Sequence, residues 1–236
     1  YRTAIWLGGR TPLWWLVPVY EEQRYQHYTD TLLAKRFVRA EDVIDLGHLA
    51  RIPPEEFIGA GMWQLFKGID SPYKSVLKLL LTEVYSSEHP QVRCLSLDFK
   101  QAIFAGQLDE DELDPYVMLY RKLERYLVNR GESERLELVR RCLYIKANVR
   151  LSRRSGMMDW KRNIMEKLVR EWHWGPRQLQ QMDDRTQWRI REVSAERRQL
   201  VNELTHSYRL LSQFGRSQDV INQVSARDLS LLGRRL

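Results

Sequence analysis

Residues 71–85 read "SPYKSVLKLLLTEVY", and this stretch decides the fold class. Ser71 offers an N-cap, and Pro72 fits the first helical position, where its missing N–H costs nothing. Tyr73, Leu77, Leu80, Leu81 and Val84 recur at helical spacing, so the stretch reads as a helix with an apolar face. Lys74 and Lys78 sit one turn apart near its start. The backbone N–H groups and dipole of a helix start already attract anions. Two lysines beside them raise the question of a phosphate ligand.

The same periodicity extends over most of the 236 residues. It predicts helices over 21–35, 40–49, 53–69, 92–106, 114–130, 133–153, 158–173 and 176–183. A long polar helix over 184–214 carries a narrow seam of Ile190, Val193, Leu200, Leu204, Tyr208, Leu211 and Phe214. A last short helix is expected at 226–236. "YRTAIWL" (1–7) reads as a helix end closed by Gly8 and Gly9. "LWWLV" (13–17), aromatic and bounded by prolines, reads as a short strand. A lone strand is unstable in water, so a partner outside the sequence is expected. Unpaired, Trp14, Trp15 and Leu16 would form an exposed apolar patch. The fold class is therefore mainly α: a multi-helix domain with a short N-terminal helix–strand remnant.

A net charge of +7 and a pI near 9.5 suggest an anionic partner. The charge is uneven: residues 1–70 balance at −1 and the remainder at +8, with six basic residues and no acid from Arg140 to Met158. Cys94 and Cys142 are far apart and read as reduced core thiols of a cytoplasmic protein. The histidines at 27, 48, 89, 173 and 206 are single, and no metal site is expected from them. No run of 18 apolar residues appears, and no signal peptide is seen. The acidic run Asp109, Glu110, Asp111, Glu112 and Asp114 reads as a solvated loop and helix cap rather than a metal site. "GAG" at 59–61 is too short for a phosphate loop and lies inside a helical pattern.

Two basic groups remain. Lys67, Lys74 and Lys78 flank the break "GIDS", with Tyr73 and Trp63 available to stack on a base; the competing reading is solvated lysines and core aromatics. Arg140, Arg141, Lys146, Arg150 and Arg153 line one helix whose apolar face is Leu136, Val139, Leu143 and Val149. Without aromatics between them, a nucleic-acid interface is disfavoured against a solvated or docking surface.

"MWQLFKGIDSPYKSVLKLLLTEVY" (62–85) closely resembles the class I adenylate cyclases of gamma-proteobacteria. The likeness continues through "RTPLWWLVP" (10–18), "LDPYVMLY" (113–120), "RLELVRRCLYIKANVRLSR" (135–153), "REWHW" (170–174) and, more loosely, "SYRLL" (207–211). The resemblance implies conversion of ATP to cyclic AMP and pyrophosphate. It implies a catalytic half similar to the polymerase-β-like nucleotidyltransferases, in which a Gly-Ser turn and an Asp-x-Asp strand hold Mg2+ and triphosphate. A helical domain then closes over the nucleotide, and a regulatory region follows. This chain has no such turn and strand, and its first residue is Tyr, so it reads as a fragment whose metal-binding carboxylates lie upstream. On that reading residues 1–20 are the edge of the palm and 21–175 the helical domain. Residues 176–236 lead toward the regulatory region. The fragment holds no catalytic residue and is inactive alone. In related nucleotidyltransferases basic residues early in the helical domain contact the β- and γ-phosphates, and Lys74 and Lys78, with Lys67 beside them, match that role in type and position. The alternative is an all-helical module that docks other domains or an acidic partner.

Overall fold

The computed structural model describes residues 9–49, 51–107, 109, 111–153 and 159–220. The helices expected at 1–7 and 226–236 lie outside them. The chain forms two compact units, Tyr1–Ile52 with Pro90–Asp109, and Pro53–His89 with Glu110–Leu236. Residues 21–52 and 90–109 thus group with the first twenty residues, rather than with the helices that separate them in sequence.

In the first unit, β1 (Thr11–Pro12) pairs in parallel with β2 (Val43–Ile44). Two sequence expectations are corrected here. Residues 13–16 form a helical turn, α1 (Leu13–Leu16), not a strand, and the strand partner lies within this chain. Residues 40–49 hold a 3₁₀ turn (Ala40–Asp42) followed by β2, not a helix. The reason for both is tertiary: aromatic residues favour strands only where a pleated, half-buried surface receives them. Instead, Trp14 is captured. Its indole N–H donates to Glu22 at 2.8 Å, and its carbonyl accepts from Lys100. Glu22 belongs to a 3₁₀ stretch (Val19–Arg24) that precedes α2 (Tyr25–Ala34), and Lys100 to α5 (Leu95–Phe104). Lys100 is fully buried, 3.7 Å from Glu22 and over the Trp14 ring at 3.9 Å. Leu13, Val17, Tyr25 and Val43 form the core, with Trp14 and Leu16 packed against it, so the apolar segment is partly covered rather than bare.

The second unit contains α3 (Pro54–Gly68), α4 (Pro72–Glu88), α6 (Pro115–Asn129) and α7 (Ser133–Ala147). It continues with α8 (Trp160–Glu171), α9 (Pro176–Asp183), a 3₁₀ turn (Arg185–Gln187) and α10 (Ile190–Ser217). The mainly α class holds. Helix α4 is central and packs against α3, α6, α7 and α10. That is why Val76, Leu79 and Thr82 are buried along with Leu77, Leu80 and Val84: a helix covered on most sides has no single polar face. Pro72 takes the first turn as expected, but the Ser71 side chain makes no capping bond. Asp114 does cap α6, accepting from the Tyr116 and Val117 N–H groups. Helix α7 stops at Ala147, short of the expected 153, because Asn148 turns left-handed at φ 56°. The α10 seam is half used: Leu200, Leu204 and Leu211 are buried, whereas Ile190 is 85% exposed.

Arg135 ties four helices together. Its guanidinium reaches Glu83 on α4 at 2.8 Å, Glu203 on α10 at 2.6 Å, and Glu132 at the head of α7. Tyr126 on α6 donates to the other Glu83 oxygen at 3.0 Å, and Ser207 to Glu203 at 3.3 Å. Removing one partner of a buried ion network strands the others. Arg135→Met is therefore expected to lower the unfolding free energy by about 3–5 kcal/mol in denaturant titration. Arg135→Lys should recover little, because an ammonium cannot fork between two carboxylates. The two glycines of α3 should separate as well. A Cβ on Gly61 would lie 2.7 Å from the buried Leu211 side chain, whereas one on exposed Gly59 meets nothing within 4 Å. Gly59→Ala should stabilise by about 1 kcal/mol and Gly61→Ala should destabilise, read from the same titrations.

Candidate phosphate-binding site

Helix α4 places Lys74 and Lys78 on one side of its first two turns. Lys74 is exposed and Lys78 partly buried. Lys78 is held below the ordinary lysine pKa of 10.5, first by burial, then by Lys74 and Lys146. Lys146 lies in the last turn of α7, with its ammonium 5.1 Å from the Tyr116 ring centre. The charges of Lys74, on the same helix, and of Lys146, on α7, thus both act on Lys78. Among the described residues, none of the three has a carboxylate within ion-pair distance. Some other basic side chains of the same unit are matched: Arg121 with Glu171 at 2.7 Å, Lys122 with Glu88 at 2.6 Å, Arg162 with Glu166 at 2.9 Å.

The other predicted site residues go elsewhere. Lys67 is exposed and rests on Trp63 at 5.0 Å and Phe66 at 5.8 Å, two exposed rings stacked on each other. Trp63 is therefore an open platform, but its present occupant is Lys67. Tyr73 turns toward α10. It lines a groove of about 580 Å³ with Ile69, Pro72, Arg185, Trp188 and Glu196. Burial, then the Glu196 charge, pushes its phenol up to about 12. Tyr73 and the lysines thus serve different faces of α4.

The basic surface read over 140–153 is divided as well. Arg140 pairs inward with Glu137 at 3.5 Å and Glu124 at 3.6 Å. Arg141 pairs with Glu196 at 3.3 Å, and Arg153 with Asp184 at 3.6 Å. Arg150 is exposed beyond the helix end, its carbonyl accepting from Arg162. Lys146 is the one of the five whose charge acts on Lys78. Sequence spacing could not show this, because the approach depends on how α7 packs on α4. Among the described residues no group of three or more His, Cys, Asp or Glu side chains could hold a metal ion. Cys94 and Cys142 are buried, in keeping with the core positions read from the sequence, and no disulfide joins them. No described helix is long and apolar enough to cross a membrane.

The lysine repulsion has a signed pH consequence. Between the folded pKa of Lys78 and 10.5 the unfolded chain holds more protons, so stability rises with pH through that window. Lys78→Met should be more stable than the parent at neutral pH, and the difference should vanish above about pH 10.5 in thermal melts.

Residues 52–236 match the family model described as adenylate cyclase, class-I, second domain. Over its whole length the chain is 40% identical to proteins named adenylate cyclase from Escherichia coli (strain K12) and Salmonella typhimurium (strain LT2). It is 37% identical to that of Proteus mirabilis. It spans 28% of the length of each of these relatives. No solved structure matches. The chain belongs to the class-I adenylate cyclase family, within which residues 52–236 correspond to the second domain.

Proposed function

We propose that this chain forms part of the catalytic region of a cytoplasmic adenylate cyclase that converts ATP to 3′,5′-cyclic AMP and pyrophosphate, and that Lys74 and Lys78 bind the phosphates. The observation that carries the site is the lysine pair on α4, one of them partly buried, with no carboxylate partner among the described residues. A partly buried lysine beside a second lysine on the same helix carries a charge that burial and its neighbour both disfavour, and a bound polyanion would offset that cost.

In the reaction the ribose 3′-hydroxyl attacks the α-phosphorus and pyrophosphate leaves. Negative charge accumulates on the departing oxygens. In this reading the two ammonium groups neutralise that charge, as point charges that tolerate movement of the phosphates. In this reading residues 1–20 are the edge of a nucleotidyltransferase palm, and the helices beyond close over the nucleotide. The described residues offer no carboxylate cluster that fits Mg2+, so in this reading the metal ligands come from another part of the cyclase.

Lys74→Ala combined with Lys78→Ala, in a cyclase of full family length, should reduce cyclic AMP production at least a hundredfold, on the order of the loss of a key transition-state charge contact. The melting temperature should not fall, since the substitution removes repulsion. Retained activity would overturn the site. Cyclic AMP production by the purified 236-residue chain alone would overturn the reading that its carboxylates come from elsewhere.

A further inference from the structure

We infer that the outward ridge of α10 is a docking surface for an acidic helix of a partner protein, met by a row of four arginines, Arg191, Arg198, Arg209 and Arg216. The inference goes beyond the phosphate site and does not depend on it. All four arginines are exposed. At about 100° per residue their positions fall within about 20° of one another around the helix. At about 1.5 Å per residue the row runs for about 38 Å, close to the whole length of α10.

Chain order hides this row, because α10 mixes the two signs: five arginines and three glutamates. Packing sorts them. Glu203 is buried and pairs with Arg135 at 2.6 Å, and Glu196 is buried and pairs with Arg141 at 3.3 Å, both on α7. Glu192 accepts from the Arg189 N–H at 2.7 Å and closes the capping box. Every acid of the helix is thus committed to α7 or to the helix's own start. Within α10 no carboxylate stands three or four residues from any arginine of the row, so the neutralisation usual on a solvated helix is absent. Among the described residues none of the four has a carboxylate within ion-pair distance, and Asp219, just past the helix end, does not pair with Arg216.

The chemistry of the face selects the partner. Between the arginines stand Ser194, Ala195, Asn202 and Thr205, all short. The exposed apolar residues of the helix, Ile190 and Val193, lie about 90° or more around the axis from the row. The face therefore offers no apolar wedge to a bilayer and no Phe, Tyr or Trp on which a base could stack. It offers guanidinium forks, whose planar geometry matches a carboxylate through two parallel hydrogen bonds. The interior of the same unit uses that pairing, with Arg135 donating twice to Glu203. A helix that carries carboxylates two turns apart repeats the spacing from Arg191 to Arg198 and from Arg209 to Arg216, so it can meet the row along its length.

The test is fluorescence anisotropy of a labelled synthetic helix of alanine, glutamine and glutamate, with its glutamates along one face, titrated with the 236-residue chain at low ionic strength. Circular dichroism melts check that each variant is folded. Changing all four arginines of the row to Gln should weaken binding about thirtyfold, a factor of about two to three for each exposed charge pair. Arg191→Gln with Arg198→Gln, or Arg209→Gln with Arg216→Gln, should each cost about fivefold. Lys35→Gln, Arg125→Gln, Lys161→Gln and Arg177→Gln combined make the same charge change at exposed positions off the row, and should cost less than about threefold. A peptide of the same composition with its glutamates scattered around the helix should bind more weakly than the one-faced peptide. Equal loss in the two quadruple variants would mean that net charge alone attracts the probe, and the inference fails. It fails too if the parent chain does not bind the one-faced peptide, or binds the scattered one as well. Tighter binding of a DNA duplex or of phosphatidylserine vesicles, lost when the row is changed, would overturn the acidic helix as the partner.

Discussion

The Arg135 guanidinium is the constraint on which the helical unit depends. It sits among Glu83, Glu132 and Glu203, with Tyr126 and Ser207 completing the carboxylates, so α4, α6, α7 and α10 are held by one charge. Its carboxylate partners Glu83 and Glu203 stand on two other helices, and satisfying both at once restricts how α4, α7 and α10 pack against one another.

The contrast between the two clusters is informative about energy. Arg121, Lys122, Arg140 and Arg141 each have an acid within ion-pair distance. The three lysines at the α4–α7 packing have none among the described residues, and burial adds to the cost of charging Lys78. Stability and ligand binding pull in opposite directions at such a place. In the other compact unit the buried Lys100 is no such case: Glu22, the Trp14 carbonyl and the Trp14 ring surround it, and its role is to pin α1 and the 3₁₀ stretch to α5.

How far the sequence can be read depends on the range of the interaction that decides each element. Helices α3, α4, α6, α8 and α9 are legible because their signals are local: proline in the first turn, a capping Asp114 before α6, apolar residues at helical spacing. "LWWLV" defeats a local reading because its strand-like composition gives no hint of Glu22 and Lys100, which seize Trp14 and stabilise a helical turn. Residues 40–49 do so for the same reason, since pairing of Val43–Ile44 with Thr11–Pro12 outweighs a weak helical pattern. The end of α7 at Asn148 is hidden because the pattern of apolar residues continues through Val149 while the helical backbone does not.

By itself the sequence determined the helical class, most helix starts, the family, and the presence of two lysines where a helix begins. These follow from short-range rules of propensity, capping and periodicity, or from motifs that can be matched residue by residue. Only the tertiary structure decided that Tyr73 faces α10, that Lys67 lies on Trp63 and Phe66, that Arg140, Arg141 and Arg153 are taken up in ion pairs, and that the Lys146 charge acts on Lys78. The physical reason is that charges interact through space. Lys78 and Lys146 are separated in the chain by the rest of α4, the whole of α5 and α6 and most of α7, and only the packing of α7 on α4 lets the charge of one act on the other.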